Sequence, residues 1–75
     1  MKNESTFTPK ALGSLVKQRR GQLRLTQAEL AMTTGTGVRF ISDLENGKET
    51  CQIGRTLKVL AALGLHVSIW SPDAT

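Results

Sequence analysis

The sequence is poor in the residues that stabilise very small proteins through covalent or metal links. Its 75 residues include one cysteine, Cys51, and one histidine, His66. An internal disulfide is therefore impossible, and no cluster has the spacing of a metal site. A chain this short buries only about 60% of the surface that it exposes when unfolded. We expect one domain that has no metal or cofactor and gains extra stability from a second chain.

Long apolar runs and catalytic groupings are also missing. No apolar stretch approaches the ~20 residues of a membrane-spanning helix, and the polar N-terminus lacks the pattern of a secretory signal. We therefore expect a soluble, cytoplasmic protein that has no membrane contact. One histidine, one cysteine and no paired carboxylates leave nothing to assemble a nucleophile, a base and an oxyanion site. The composition therefore argues against an enzyme.

Basic residues outnumber acidic ones, and one half of the chain holds most of them. Ten Lys and Arg residues against six Asp and Glu residues give a net charge of +4. Between positions 10 and 39 the only acidic residue is Glu29, against these basic ones: Lys10, Lys17, Arg19, Arg20, Arg24 and Arg39. A basic surface of this kind favours a polyanionic partner.

The first two helices are predicted from capping residues and apolar spacing. Thr8 is typical of an N-cap, and Pro9 of a first helical position. In the first helix, apolar residues recur at helical spacing: Leu12, Leu15, Val16 and Leu23. The second helix begins at Thr26, because Glu29 three residues later completes a capping box, and it stops near Gly35.

Two more helices follow a short turn that contains Gly35. The third helix is predicted at about residues 38–45, with Ile41 and Leu44 buried. The fourth, at about residues 53–63, has apolar residues at helical spacing: Ile53, Leu57, Leu60 and Ala61.

The period of the pattern changes from 3.6 to 2 at residues 65–70, which predicts a β-strand. A lone strand leaves its backbone donors and acceptors unpaired, and the rest of the chain offers no second strand. The simplest partner is the same strand of a second copy, antiparallel across a two-fold axis. We therefore predict a homodimer whose interface includes Leu65, Val67, Ile69 and Trp70.

The second and third helices, joined by a tight turn, have the form of a helix-turn-helix. Neither helix is long enough to be stable alone, so both must pack on the first and fourth helices. One face of the third helix then stays exposed. A DNA major groove is wide enough to admit such a helix.

These residues resemble Xre-type, lambda-repressor-like helix-turn-helix proteins. The matching segments are LTQAELA at residues 25–31, Gly35, Ile41–Ser42 and LENGK at residues 44–48. A fourth helix followed by a short strand further resembles the HipB-like antitoxins. The resemblance implies an all-α, four-helix domain with one C-terminal strand paired between subunits. It also implies a sequence-specific repressor that binds a palindromic operator in double-stranded DNA, represses its own promoter and binds a HipA-type kinase toxin.

The resemblance also implies roles for individual positions. Gln27, with Thr26 beside it, matches the place where the family meets a phosphate and braces the third helix. The positions where the family reads base edges are Gly37, Val38, Arg39 and Ser42, with Asp43 at the margin. Arg20 and Glu45 match a partly buried salt bridge between the first and third helices, a structural role.

One position departs from the family pattern. Val38 stands where several of the resembling proteins have glutamine, and a valine side chain can contact only a thymine methyl. Direct readout therefore rests mainly on Arg39, whose guanidinium suits guanine O6 and N7. Further phosphate contacts are expected from Arg19, Lys48 and Lys17. The alternative for such charges is an ordinary solvated face.

The predicted organisation has four parts. A flexible tail (residues 1–7) precedes the DNA-binding domain (residues 8–64), which is followed by a dimerisation strand (residues 65–70) and a C-terminal tail (residues 71–75). The alternative functions are a free-standing Xre-family regulator without a toxin partner and a protein-interaction module. A domain that binds RNA or another protein without DNA is a third alternative.

Overall fold

The computed structural model describes residues 7–73. They contain four helices: α1 (Pro9–Gln22), α2 (Gln27–Thr34), α3 (Val38–Glu45) and α4 (Ile53–Ala62). The predicted four-helix class is confirmed. The third helix has the predicted bounds, and the fourth ends one residue earlier than predicted. Of the predicted tails (residues 1–7 and 71–75), positions 1–6 and 74–75 lie outside the described residues.

The first two helices begin where their capping residues predict. The Thr8 hydroxyl accepts a hydrogen bond from the Ala11 N–H at 3.1 Å, and Pro9 is the first helical residue. At α2, the Thr26 hydroxyl accepts from the Glu29 N–H at 3.0 Å, and the Glu29 carboxylate accepts from the Thr26 N–H at 2.8 Å. The predicted capping box is confirmed. These bonds satisfy donors that would otherwise be left unpaired at the helix starts.

Schellman motifs end both α1 and α3. At α3, the Lys48 N–H donates to the Asp43 carbonyl at 3.0 Å and the Gly47 N–H donates to the Leu44 carbonyl at 3.1 Å. Gly47 has φ 81°, in the left-handed region that this motif requires. At α1 the same place is taken by Arg24 with φ 59°, a conformation that a residue with a side chain adopts only at some cost.

The core lies where the four helices meet. Its buried side chains are Val16, Leu30, Ala31, Ile41, Leu44, Val59, Leu60 and Leu63. Phe40 and Leu12 pack against it, half-buried. Because α2 and α3 have only eight residues each, this packing stabilises them more than helix propensity does. No helix in residues 7–73 has the length and apolar content needed to cross a membrane.

Some apolar residues that occur at helical spacing are exposed rather than buried. Leu15 and Leu23 belong to the stripe of the first helix that was predicted to face inward, and the fourth helix adds Ile53, Leu57 and Ala61. In α1 the buried face includes Gly13 and Val16. Gly13 lies so close to α3 that an added Cβ would be 2.7 Å from the Glu45 carbonyl oxygen. Because glycine has no side chain, it does not appear in the apolar pattern, and the pattern alone therefore predicted the wrong buried face for α1.

Residues 65–70 have no regular secondary structure, and no β-strand occurs within residues 7–73. The predicted strand is therefore not formed in the single chain. In this segment Leu65 packs against the core, whereas Val67, Ile69 and Trp70 are 57%, 92% and 84% exposed. An open apolar groove of about 440 Å³ runs beside the segment, lined in part by Leu15, Leu57 and Val67.

Candidate functional site

One side of α3 is buried and the other faces outward. The buried residues are Ile41, Leu44 and Glu45. The outward side, which we call the α3 stripe, carries Arg39, Ser42, Asp43 and Asn46. Arg39 is almost fully exposed, with 91% of its side chain accessible. Four of the predicted base-reading residues therefore lie on or beside this surface: Val38, Arg39, Ser42 and Asp43.

The N-terminal end of the α3 stripe is open. Gly37 is the N-cap of α3, is exposed and makes no side-chain cap hydrogen bond. Backbone N–H groups at such an end can approach a phosphate closely. Val38, the next residue, is 47% exposed and offers only an apolar contact.

Asn46 belongs to the α3 stripe, and the sequence analysis did not include it. It is the C-cap of α3 and is exposed. It lies four residues after Ser42 and seven after Arg39, so it is on the same side of the helix. An asparagine amide can pair with the N6 and N7 atoms of adenine. The signal that could have identified it is this spacing, which continues one residue past the end of α3 into its C-cap.

Asp43 lies between two basic side chains. Its Oδ2 atom is 3.4 Å from the Lys48 Nζ and 4.0 Å from the Arg39 Nε, one helical turn away. Lys48 is also joined to Asp43 by the backbone hydrogen bond of the Schellman motif. Two of the cations assigned to DNA contact therefore share one carboxylate.

A buried salt bridge joins α3 to α1 and α2. The Arg20 Nε and Nη2 atoms donate to the two Glu45 carboxylate oxygens at 2.6 and 3.0 Å. These side chains are 16% and 3% exposed. The Arg20 Nη1 donates to the Leu25 carbonyl at 2.8 Å, and the Gln27 Nε2 donates to Glu45 Oε1 at 3.1 Å. One carboxylate thus connects three helices and fixes the direction in which the α3 stripe faces.

The charge state of Glu45 follows from opposing effects. Burial raises the pKa of the carboxyl, but hydrogen bonds from Arg20 and Gln27 and the charges of Arg20 and Lys17 lower it more. The net pKa is below its ordinary value. Glu45 therefore remains ionised at neutral pH and holds Arg20 as an ion pair.

The other predicted phosphate contacts have different surroundings. The Arg19 Nε donates to the Leu63 carbonyl at 2.9 Å, just beyond α4, and its Nη1 lies 3.3 Å from the Gln22 Oε1. Arg19 therefore stabilises the C-terminal end of α4, a role that the sequence analysis did not foresee. Lys17 is exposed, and the Lys48 side chain is 54% exposed.

The described residues offer neither a metal site nor an activated cysteine. Among residues 7–73, no group of three or more His, Cys, Asp or Glu side chains is arranged to hold a metal ion. Burial, with a smaller effect from the charge of Asp43, raises the pKa of the Cys51 thiol. The thiol is therefore protonated at neutral pH and is not an activated nucleophile.

Comparison with known proteins finds relatives across most of the chain. Residues 11–68 match the family described as "Helix-turn-helix domain". The "Uncharacterized HTH-type transcriptional regulator y4mF" of Sinorhizobium fredii is 49% identical over 65 residues, which are 87% of this chain and 86% of that protein.

Solved structures of HipB are also similar. The chain in a "HipB-O4 20mer complex" has a TM-score of 0.79 and 27% identity, and the match covers 95% of this chain and 100% of that one. The corresponding chain in a "HipA-HipB-O2-O3 complex" has a TM-score of 0.80, 27% identity and the same coverage. The similarity thus includes the fold as a whole and more than a quarter of the residues.

Proposed function

The chain belongs to the helix-turn-helix family of transcriptional regulators, in its Xre-type, HipB-like form, and from this premise we propose that it is a sequence-specific repressor. The observation that carries the proposal is the outward α3 stripe. It bears an exposed arginine, and the Arg20–Glu45 pair holds the helix rigidly on α1. A fixed helix with polar and basic side chains on its outer face suits the DNA major groove.

Base reading is assigned first to Arg39. Its guanidinium can donate two parallel hydrogen bonds to guanine O6 and N7, a contact that discriminates against a wrong base by about 1–3 kcal/mol. Ser42 and Asn46 offer further hydrogen-bonding groups, and Val38 offers contact with a thymine methyl. The Gly37 end of the helix is open to a phosphate.

Phosphate contact is assigned to the edges of the same surface. The Gln27 amide uses one hydrogen for Glu45 and has a second to donate. Thr26, Lys17 and Lys48 supply the remaining contacts. Arg19 is left out of this set because Leu63 engages its guanidinium. Contacts of this kind supply most of the affinity and make binding fall steeply as salt increases.

Repressors of this form act as pairs, and the C-terminal segment supports a homodimer. Val67, Ile69 and Trp70 expose apolar surface that water contacts unfavourably. Pairing of residues 65–70 between two copies would cover this surface and complete the strand. The two α3 helices would then enter successive major grooves about 34 Å apart on a palindromic operator. Sedimentation at micromolar concentration tests the dimer, and a monomer alone would contradict it.

A toxin partner is the finer part of the proposal. The similarity to HipB within a HipA-HipB complex supports an antitoxin that represses its own promoter and binds a HipA-type kinase. A stable complex after co-expression with a kinase encoded in the same operon would support the antitoxin role. Without such a complex, the chain would be a free-standing regulator.

The decisive experiment is footprinting on the DNA upstream of the protein's own gene, followed by substitution of Arg39. Arg39→Lys keeps the charge but loses the planar fork, so it should retain affinity for arbitrary DNA and lose preference for one guanine. Arg39→Ala should lose both. If both variants keep the wild-type sequence preference, Arg39 is not the reading residue. If the wild-type protein protects no site and selects none from random DNA, the proposed repressor function is wrong.

A further inference from the structure

Asp43 is an unexpected residue on a surface that is proposed to bind a polyanion. Along α3 the acidic residues are Asp43 and Glu45, and Glu45 is buried in its salt bridge. The Asp43 side chain is 29% exposed and lies on the α3 stripe beside Arg39. A carboxylate at this place repels phosphates and therefore weakens general attraction to DNA.

Protein stability does not explain this carboxylate. Its partner Arg39 has 91% of its side chain in solvent, and Lys48 has 54%. Exposed ion pairs of this kind contribute little to folding. The presence of Asp43 at this position is therefore better explained by the proposed role of the α3 stripe in DNA recognition.

The carboxylate has a second cationic neighbour. Lys48 approaches it at 3.4 Å and is joined to the Asp43 carbonyl through its backbone N–H at 3.0 Å. Asp43 thus carries its charge on a short side chain between two cations, whereas the long Arg39 side chain has no other ion-pair partner among residues 7–73. The Arg39 Nε lies 4.0 Å from the Asp43 carboxylate. An ion pair through Nε leaves the two terminal nitrogens available for a two-bond contact with guanine.

From this arrangement we infer that Asp43 is a positioning residue that sets sequence selectivity: it orients Arg39 for base reading, and with Lys48 it lowers affinity for arbitrary DNA. The inference rests on the proposed function, because it requires α3 to enter a groove. Neutralising Asp43 frees Lys48 for a phosphate and removes a repulsive charge, so it strengthens unselective binding. It also releases Arg39 from its orientation, so it weakens discrimination.

The competing role is direct contact. An aspartate can accept a hydrogen bond from the N4 amino group of cytosine, in which case it reads a base pair of its own. The two roles differ in where discrimination is lost. A positioning residue affects the base pair that Arg39 reads, and a contact residue affects another.

The test begins with selection of the preferred site from a random double-stranded library by the full-length protein. Affinities of wild type, Asp43→Asn, Arg39→Ala and the double variant are then measured for that site, for every single-base variant of it and for scrambled DNA at two salt concentrations. Glu49→Gln is the matched control, because it removes the same charge from an exposed position in the adjacent loop. Circular dichroism verifies that each variant is folded.

We expect Asp43→Asn to reduce discrimination roughly three- to tenfold at the base pair where Arg39→Ala acts. It should have no further effect there in the double variant. Affinity for scrambled DNA should increase more than in Glu49→Gln, with a salt slope steeper by up to about one phosphate contact. In the free protein, the Nε–H NMR signal of Arg39 should shift in Asp43→Asn and not in Glu49→Gln.

Other outcomes overturn the inference in distinct ways. Loss of discrimination at a different base pair, persisting in the double variant, makes Asp43 a base contact. Unchanged discrimination, or an equal gain in unselective binding in Glu49→Gln, shows that only total charge matters. If wild type selects no site at all, the proposed function fails together with the inference. Selection without an Asp43 effect leaves the proposed function intact.

Discussion

Replacing Glu45 with alanine should destabilise the protein strongly, because it leaves a partly buried guanidinium without its carboxylate partner. The Glu45 and Arg20 side chains are 3% and 16% exposed, and two hydrogen bonds join them. Removing one member of a buried ion pair costs about 3–5 kcal/mol. Arg20 keeps its bond to the Leu25 carbonyl and some access to water, so we expect a loss near the lower limit, about 3 kcal/mol.

That loss is large for a chain of this length. At 0.05–0.15 kcal/mol per residue, 75 residues give a total stability of about 4–11 kcal/mol. Urea unfolding followed by helical circular dichroism measures the change, at one fixed protein concentration because dimerisation contributes to stability. With a slope near 1 kcal/mol per molar urea, the midpoint should fall by about 3 M.

Two variants separate the cause from general effects of substitution. Glu49→Ala removes an exposed carboxylate and should change stability by less than about 0.5 kcal/mol. The double variant Arg20→Met, Glu45→Leu removes both charges and should recover most of the loss, since an apolar pair of similar volume often replaces a buried ion pair without cost. A loss below about 1 kcal/mol in Glu45→Ala would refute the reasoning.

Three further predictions concern pH and backbone geometry. Because folding lowers the pKa of Glu45, the ionised carboxylate contributes fully to the free energy of unfolding above the ordinary pKa of 4.5, and this contribution is lost as pH falls through the folded pKa. Urea midpoints measured from pH 7 to 3 should therefore decrease, and the decrease should be smaller in Glu45→Gln. Gly13→Ala places a Cβ against the α3 backbone and should lower the free energy of unfolding by about 1–3 kcal/mol. Gly21→Ala has open space around it and should raise it by up to about 1 kcal/mol. Equal effects at the two sites in thermal or urea unfolding would disprove the close approach of α1 to α3 at Gly13. Arg24→Gly should relieve the left-handed conformation at φ 59° and raise the unfolding midpoint slightly, and a clear loss of stability would contradict the assigned strain.

Much of the candidate site was accessible from the sequence because its elements depend on short-range chemistry. The capping box at Thr26 involves residues three positions apart, and its two hydrogen bonds form as predicted. The bounds of α3 follow from apolar spacing and from Gly47 beyond its end. The side of α3 that carries Arg39 follows from the burial of Ile41 and Leu44 on the other side.

Other features depend on contacts between distant parts of the chain, which residue spacing does not encode. Arg19 and Leu63 are 44 positions apart in the chain, and the Arg19 side chain donates a hydrogen bond to the Leu63 carbonyl. A residue that was predicted from the sequence to contact DNA therefore caps the C-terminal end of α4. Asn46 lies outside α3 in the prediction and in the structure, and the structure places it on the α3 stripe because its N–H donates to the Ser42 carbonyl and its side chain is exposed. The pairing of residues 65–70 depends on a second copy and stays a prediction.

The start of each helix and the bounds of α3 could be read from the residues alone, because caps, turns and apolar period act over about four residues. Which helix faces pack together depends on the three-dimensional fold. Gly13 has no side chain and so allows α1 to approach α3 closely. The spacing of apolar residues does not reveal such a contact, because glycine does not count as an apolar position. The orientation of the α3 stripe likewise depends on Glu45 meeting Arg20, 25 residues away, and so on the packing of whole helices rather than on the local order of residues.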